Sequence, residues 1–286
     1  MPHFKITLAY DGTDYVGWQR QANGVSIQGL IEDALCELDG CTVAVAGAGR
    51  TDSGVHALGQ VAAFTIERAM PPDALRRALN AHLPDAIRVM AAAEVPTSFH
   101  PRFDARTKTY RYRIWNGEVI SPFERRYAWH VTGALDVEAM QAAARLVEGR
   151  HDFAAFQATG SDVATTEREV FVSRIADCGL RIDCGLSIAD CGIPAIRSPQ
   201  SPVRSQSAVR NPPSEMLAYE VTGTGFLRHM VRTIVGTLVE VGRGKQPVDW
   251  MTGVLASRDR AAAGPTAPAA GLFLVHVDYG PVAAMP

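Results

Sequence analysis

The residues best equipped for chemistry are concentrated in Gly47-Ala48-Gly49-Arg50-Thr51-Asp52-Ser53-Gly54-Val55-His56-Ala57-Leu58-Gly59-Gln60. Arg50 supplies a cation, Asp52 a carboxylate and His56 a ring that titrates near neutrality. Glycines 47, 49, 54 and 59 let the backbone take positive φ and let a large ligand come close. The stretch reads as an active-site loop. Gly47-x-Gly49-x-x-Asp52 begins like a dinucleotide fingerprint, but the third glycine is missing and no helix-forming run follows. The alternative is a glycine-rich turn in which Asp52 accepts backbone N–H bonds and Arg50 pairs with it at the surface.

A second stretch, Arg106-Thr107-Lys108-Thr109-Tyr110-Arg111-Tyr112-Arg113-Ile114-Trp115, alternates basic and aromatic residues. Side chains 106, 108, 110 and 112 share one face of a strand, so Arg106, Lys108, Tyr110 and Tyr112 would present cations and rings together. A surface of that kind grips phosphates and stacks an unpaired base. The competing arrangement puts the tyrosines in a core and the arginines at an edge. A third stretch, Gly223-Thr224-Gly225-Phe226-Leu227-Arg228-His229-Met230-Val231-Arg232, offers a Gly-x-Gly turn entering a helix. Backbone N–H groups there suit an anion, and Arg228 in the first helical turn is where a carboxylate or phosphate would be met.

The elements that must position these groups follow from periodicity. Phe4 to Tyr10 alternates as a strand and stops at Asp11-Gly12. The next loop holds Tyr15, Trp18, Gln19, Arg20 and Gln21, after which Ser26 can cap a helix with apolar residues 27, 30, 31, 34, 35 and 38 on one stripe. Residues 42–46 and 61–66 have the β-branched look of strands on either side of the Asp52 loop. Pro71-Pro72 starts a helix that ends before Pro84, and 87–95 is a strand. Two helices against four strands describe a ferredoxin-like α+β unit. Beyond it, a helix is expected from 135 to 148, strands at 168–175 and 216–222, a helix from 227 to 241 and a closing strand at 271–279.

The chain has 286 residues, 47% of them apolar, enough for one large or two modest cores. No apolar run reaches the length of a membrane span, and Met1-Pro2-His3-Phe4-Lys5 lacks the pattern of a secretory leader, so a cytoplasmic protein is expected. A net charge of −2 confines any nucleic-acid footprint to a local patch. Lys5, Lys108 and Lys245 are the only lysines, so the positive charge is mostly arginine. The five cysteines contain no Cys-x-x-Cys pair, which points to free thiols and no zinc site. From about 176 to 215 the pattern breaks into three Asp-Cys-Gly units and a Pro/Ser/Arg-rich run, read as an extended hairpin or disordered insertion.

Gly-Arg-Thr-Asp-Ser-Gly-Val-His-Ala at 49–57, together with Asp11-Gly12-Thr13, Thr107-Lys108-Thr109-Tyr110-Arg111-Tyr112 and the 223–232 string, resembles the ordered motifs of the tRNA pseudouridine synthase A family. The resemblance covers nearly the whole chain, apart from the insertion. It implies two ferredoxin-like or RRM-like α+β halves, 1–105 and 106–286, joined into a mixed, mainly antiparallel sheet with helices on one side. A cleft between the halves, no cofactor, no metal and a homodimer are also implied. The implied reaction converts uridine to pseudouridine at positions 38, 39 and 40 of the tRNA anticodon stem-loop. Asp52 would be the catalytic carboxylate, Arg50 the residue that displaces and holds the target nucleotide, and Arg228 the partner of Asp52. Tyr110 would contact the target base, Arg106 and Lys108 would bind substrate, and Leu272 and Leu274 would line the pocket. Two other classes use similar groups. A non-catalytic RNA-binding module would explain the basic, aromatic strand, and a carboxylate nucleosidase would release free base and want a second carboxylate or a water-activating partner.

Overall fold

A computed structural model describes residues 1–158, 160, 163–177 and 215–280. Most of the insertion expected at 176–215 lies outside the described residues. Strand β1 (His3–Tyr10) buries every second residue, Phe4, Ile6, Leu8 and Tyr10, as its alternation requires. Helix α1 (Ile27–Asp39) opens where the Ser26 hydroxyl accepts the N–H of Gly29 and closes at Gly40, whose φ of 77° is left-handed. It lays Ile27, Ile31, Ala34 and Leu35 into the same core as β1. Helix α2 (Pro72–His82) begins with a proline that needs no N–H partner and stops two residues before Pro84.

These helices are interleaved with β2 (Ala46–Gly47), β3 (His56–Thr65) and β4 (Ile87–Glu94). The second part of the chain adds β5 (Thr107–Trp115), β6 (Trp129–His130), α3 (Val137–Arg145), β7 (Gly149–Asp152), β8 (Glu167–Asp177) and β9 (Met216–Gly223). Helices α4 (Met230–Gly242) and α5 (Trp250–Ser257) and strand β10 (Leu272–Asp278) follow. The strands form one sheet in the order β4-β1-β3-β10-β5-β9-β8-β7, with β2 paired to β3 and β6 to β5. Its pairings are antiparallel except β10 with β3 and β5 with β6. The fold is therefore α+β with a mixed, mainly antiparallel sheet, as the resemblance implied.

The seam of the sheet sets up the site. Strand β10 pairs Phe273 with His56 and Leu274 with Ala57 on one side, and Leu274 with Tyr110 on the other. The loop that leads into β3 and the tyrosine of β5 are thus separated by a single strand, roughly 10 Å from centre to centre.

Three local expectations are corrected. Strand β3 starts at His56, so 56–60 belong to the sheet and not to the loop. Of the expected 42–46 strand only Ala46 pairs with a neighbour, together with Gly47 beyond it, because α1 claims the backbone before them: Gln28 Nε2 donates to the Val45 carbonyl at 2.9 Å, and the Val45 N–H donates to Glu32 at 3.3 Å. Helix α4 starts at Met230, three residues later than the apolar period suggests, because His229 takes φ 64°.

Candidate active site

The Asp52 loop is tied down on every side. Its first residues are fixed by Ala48 N–H to the Val61 carbonyl (2.8 Å), Gln60 Nε2 to the Gly49 carbonyl (2.9 Å) and Lys108 Nζ to the Ala48 carbonyl (2.7 Å). The Thr51 carbonyl accepts the Trp18 N–H at 3.1 Å, and the Thr51 hydroxyl meets the Tyr10 hydroxyl at 2.8 Å. Gly17 makes the first contact possible. It sits at φ 107°, and a Cβ there would lie 2.5 Å from the Thr51 carbonyl oxygen. Loop 11–18 therefore lies flat against the loop that carries Asp52.

The Asp52 carboxylate meets two groups from the entry to α4. Oδ2 is 3.2 Å from Arg232 Nη1 and 3.5 Å from His229 Nε2. Both contacts fall on Oδ2, and the side chain keeps 27% of its surface exposed. Arg232 is itself held by a second bond, Nε to the Ala267 carbonyl at 2.8 Å, and the Ala267 N–H returns to the Arg232 carbonyl at 3.1 Å. Segment 265–267 comes this close because Gly236 has no side chain; a Cβ there would run into the Pro265 carbonyl.

This geometry corrects the partner assigned to Asp52. Arg232 makes the ion pair, and Arg228 does not. With His229 left-handed and α4 beginning at Met230, Arg228 precedes the helix, and Arg232 becomes the cation of the first turn. The Arg228 carbonyl accepts the Ala158 N–H at 3.0 Å. His229 was not singled out from sequence. A non-glycine residue at positive φ costs about 1–3 kcal/mol and persists mainly where function holds it. Burial lowers the pKa of His229 below the ordinary histidine value; the Asp52 charge opposes this, and Arg232, Arg228 and Arg260 add to it. The imidazole is thus neutral beside the carboxylate near neutral pH, and its 3.5 Å contact is weaker than that of Arg232.

Tyr110 is 8% exposed and rests edge-on against Phe226, with centroids 5.1 Å apart. Burial, then the nearby Tyr10 and Asp52, hold its phenol pKa far above the usual range, so it acts as a neutral ring. Lys108 on the same strand face is pushed down to about 8 by burial, with Arg102 and Arg168 adding repulsion. Arg50 is exposed and donates from Nε to Gln19 Oε1 at 3.1 Å, so the surface pair of Arg50 with Asp52 is not formed. Leu274 is fully buried opposite Tyr110, and Leu272, 6% exposed, is opposite Tyr112. Arg106 lies just before β5, with its guanidinium over Gly280 beyond the end of β10.

His56 has left the loop for the core. Its Nδ1 accepts the Gly12 N–H at 3.1 Å and its Nε2 faces the Ala270 carbonyl at 3.1 Å, while its ring stacks on Phe273 at 4.7 Å. Asp11 Oδ1 is also 3.1 Å from Nδ1, but burial lowers the His56 pKa more than Asp11 raises it. We therefore assign the neutral tautomer with the proton on Nε2, which makes His56 a brace between loops.

A family model described as tRNA pseudouridine synthase matches residues 6–104 and 143–280. The tRNA pseudouridine synthase A of Geotalea uraniireducens is 44% identical over 279 residues, 98% of this chain and 100% of that protein. The tRNA pseudouridine synthase A of Myxococcus xanthus is 45% identical over 288 residues, 100% and 96% of the two chains, and that of Geobacter sulfurreducens is 43% identical over 279 residues. Matched along nearly its full length by relatives of this kind and by the family model over most of it, the chain belongs to the tRNA pseudouridine synthase family.

Proposed function

We propose that the protein isomerises uridine to pseudouridine at positions 38, 39 and 40 of the tRNA anticodon stem-loop, with Asp52 as the catalytic carboxylate. The observation that carries this reading is a partly buried carboxylate with one oxygen fixed by Arg232, near the buried ring of Tyr110. In the reaction the N1–C1′ bond breaks, a C5–C1′ bond forms, the C5 proton leaves and N1 gains a proton. The target base must first leave its stack, which costs a few kcal/mol. Arg50, exposed at the rim beside Gln19, is suited to fill the vacated place. Tyr110 then supports the extruded uracil, and Lys108 meets a backbone phosphate. Arg232 aims Asp52 at the sugar and base. We further read the chain as two halves, 1–105 and 106–286, that work as a cytoplasmic homodimer.

The test is tritium release from unmodified tRNA labelled at C5 of uridine, comparing wild type with Asp52→Asn. The proposal expects release and pseudouridine in the anticodon stem-loop for wild type, and neither for the variant, with tRNA affinity retained. Binding without release by wild type would make the chain an RNA-binding module. Free uracil would make it a nucleosidase.

A further inference from the structure

The segment between β4 and β5 carries an aromatic residue that the core does not use. Phe103 is 75% exposed, and yet the loop around it is tied down by hydrogen bonds. The His100 Nδ1 accepts the N–H groups of Arg102 (3.1 Å) and Phe103 (3.3 Å), and the Asp104 N–H returns to the His100 carbonyl at 3.1 Å. The base of the loop is clamped by the Tyr279 hydroxyl, which donates to the Pro101 carbonyl at 2.7 Å, and by Phe99 packed on Tyr279 at 5.1 Å. Lys5 caps both rings at 5.7 and 5.5 Å. The phenyl ring thus stands out on a fixed base, backed by the His100 ring at 4.2 Å and by the Arg102 guanidinium at 5.8 Å.

The surroundings are cationic. Arg102 is near enough to Lys108 and Arg168 to depress the proton affinity of each, and Lys108 is bonded to the Asp52 loop through the Ala48 carbonyl. Asp104, the carboxylate of the loop, is turned back to the His100 N–H at 2.8 Å. An exposed ring beside the Arg102 guanidinium is poorly suited to an apolar protein contact. It is well suited to a nucleotide, which has a flat face and an anion a few ångströms apart.

Resting on the function proposed above, we infer that Phe103 is a stacking platform for an unpaired base of the RNA, outside the pocket of the target base, and that Arg102 holds the adjoining phosphate. Sequence independence follows, because every base offers a π face. The hydrogen-bonded loop means that little backbone freedom is lost on binding.

The experiment measures the Kd of the full chain for unmodified tRNA across a salt series, for wild type, Phe103→Ala, Phe103→Leu, Phe103→Trp and Arg102→Ala, with sedimentation of each free protein. Losing the ring should raise Kd about 5- to 100-fold in the alanine variant. The leucine variant keeps apolar bulk without a π face and should be weakened similarly, whereas the tryptophan variant should bind within about twofold of wild type. Arg102→Ala should lower the slope of log Kd against log salt by about one, while Phe103→Ala leaves the slope unchanged. Wild-type affinity in Phe103→Ala, full rescue by leucine, or a changed oligomeric state on losing the ring would each overturn the platform; the last would assign Phe103 to an interface between copies of the chain. Tritium release by wild type is read in parallel, so a failure of the parent function is recognised separately.

Discussion

The assignment of Arg232 over Arg228 can be tested by removing each in turn. Arg232→Ala deletes two bonds from one guanidinium, Nη1 to Asp52 at 3.2 Å and Nε to the Ala267 carbonyl at 2.8 Å. Fully buried pairs lose about 3–5 kcal/mol when broken, and exposed pairs about 0–1 kcal/mol. With side-chain exposures of 15% for Arg232 and 27% for Asp52, the Asp52 bond lies between these limits. A middle value of about 2 kcal/mol corresponds to roughly 30-fold in rate. Misplacing a reacting group by an ångström adds up to about 100-fold, so the expected loss runs from roughly 30-fold to about 3,000-fold. Arg232→Lys keeps the charge, but one ammonium cannot reach both acceptors, so its loss should fall between alanine and wild type. Arg228→Ala should stay within about threefold, since Arg228 lies outside the Asp52 contact. The assay is single-turnover tritium release with enzyme in excess, which separates the chemical step from tRNA affinity. Equal losses in Arg228→Ala and Arg232→Ala, or near wild-type turnover in the latter, would refute the geometry.

Two further outcomes follow from neighbouring residues. Lys108 releases its proton at about 8 in the folded protein against 10.5 for the free side chain, so tRNA affinity should fall as pH rises through about 8. Lys108→Arg, charged throughout, should flatten that profile; a wild-type profile equal to that of the arginine variant would remove Lys108 from phosphate binding. The linkage has the opposite sign for stability. Between these two pH values the unfolded chain holds a proton that the folded chain lacks, so this group makes the RNA-free protein more stable as pH rises. In Gly236→Ala the new methyl group meets the Pro265 carbonyl, which should push segment 265–267 off α4. Overpacking of this kind costs about 1–3 kcal/mol, read as a lowered unfolding temperature, and it should slow tritium release by loosening Arg232. Unchanged stability and turnover would show that the segment does not hold the arginine.

Much of this is legible in the amino-acid sequence. Alternation set β1, Ser26 and Pro72 set the starts of α1 and α2, and the glycine-rich string marked the Asp52 loop. Local signals of this kind depend only on a residue and its near neighbours. What escaped depends on partners far away in the chain. No helical period reveals that His229 turns left-handed, and that single backbone angle decides which arginine reaches the carboxylate. The period continues unbroken from 227, which puts Arg228 in the first turn and makes it the expected partner of the carboxylate. Likewise, Val43 and Val45 have the composition of a strand and are buried like one, but the side chains of α1 occupy the Val45 backbone. His56, prominent as a titratable group, is a core brace because β10 brings Phe273 and Ala270 against it.

The place of β10 in the sheet also has a consequence for protein synthesis. Asp52 and Arg232 are 180 residues apart, and the strand that joins their two regions is the last of the ten. As the chain leaves the ribosome, β1, β2, β3 and β4 can pair among themselves, but the edge of β3 at His56 and Ala57 stays open until β10 arrives. At about 5–20 residues per second, that edge stays unpaired for some ten seconds or more. If Asp52 is the catalytic carboxylate proposed above, a nascent chain carries it long before it carries Arg232, the group that aims it, and is expected to be inert towards the RNA that surrounds it during translation.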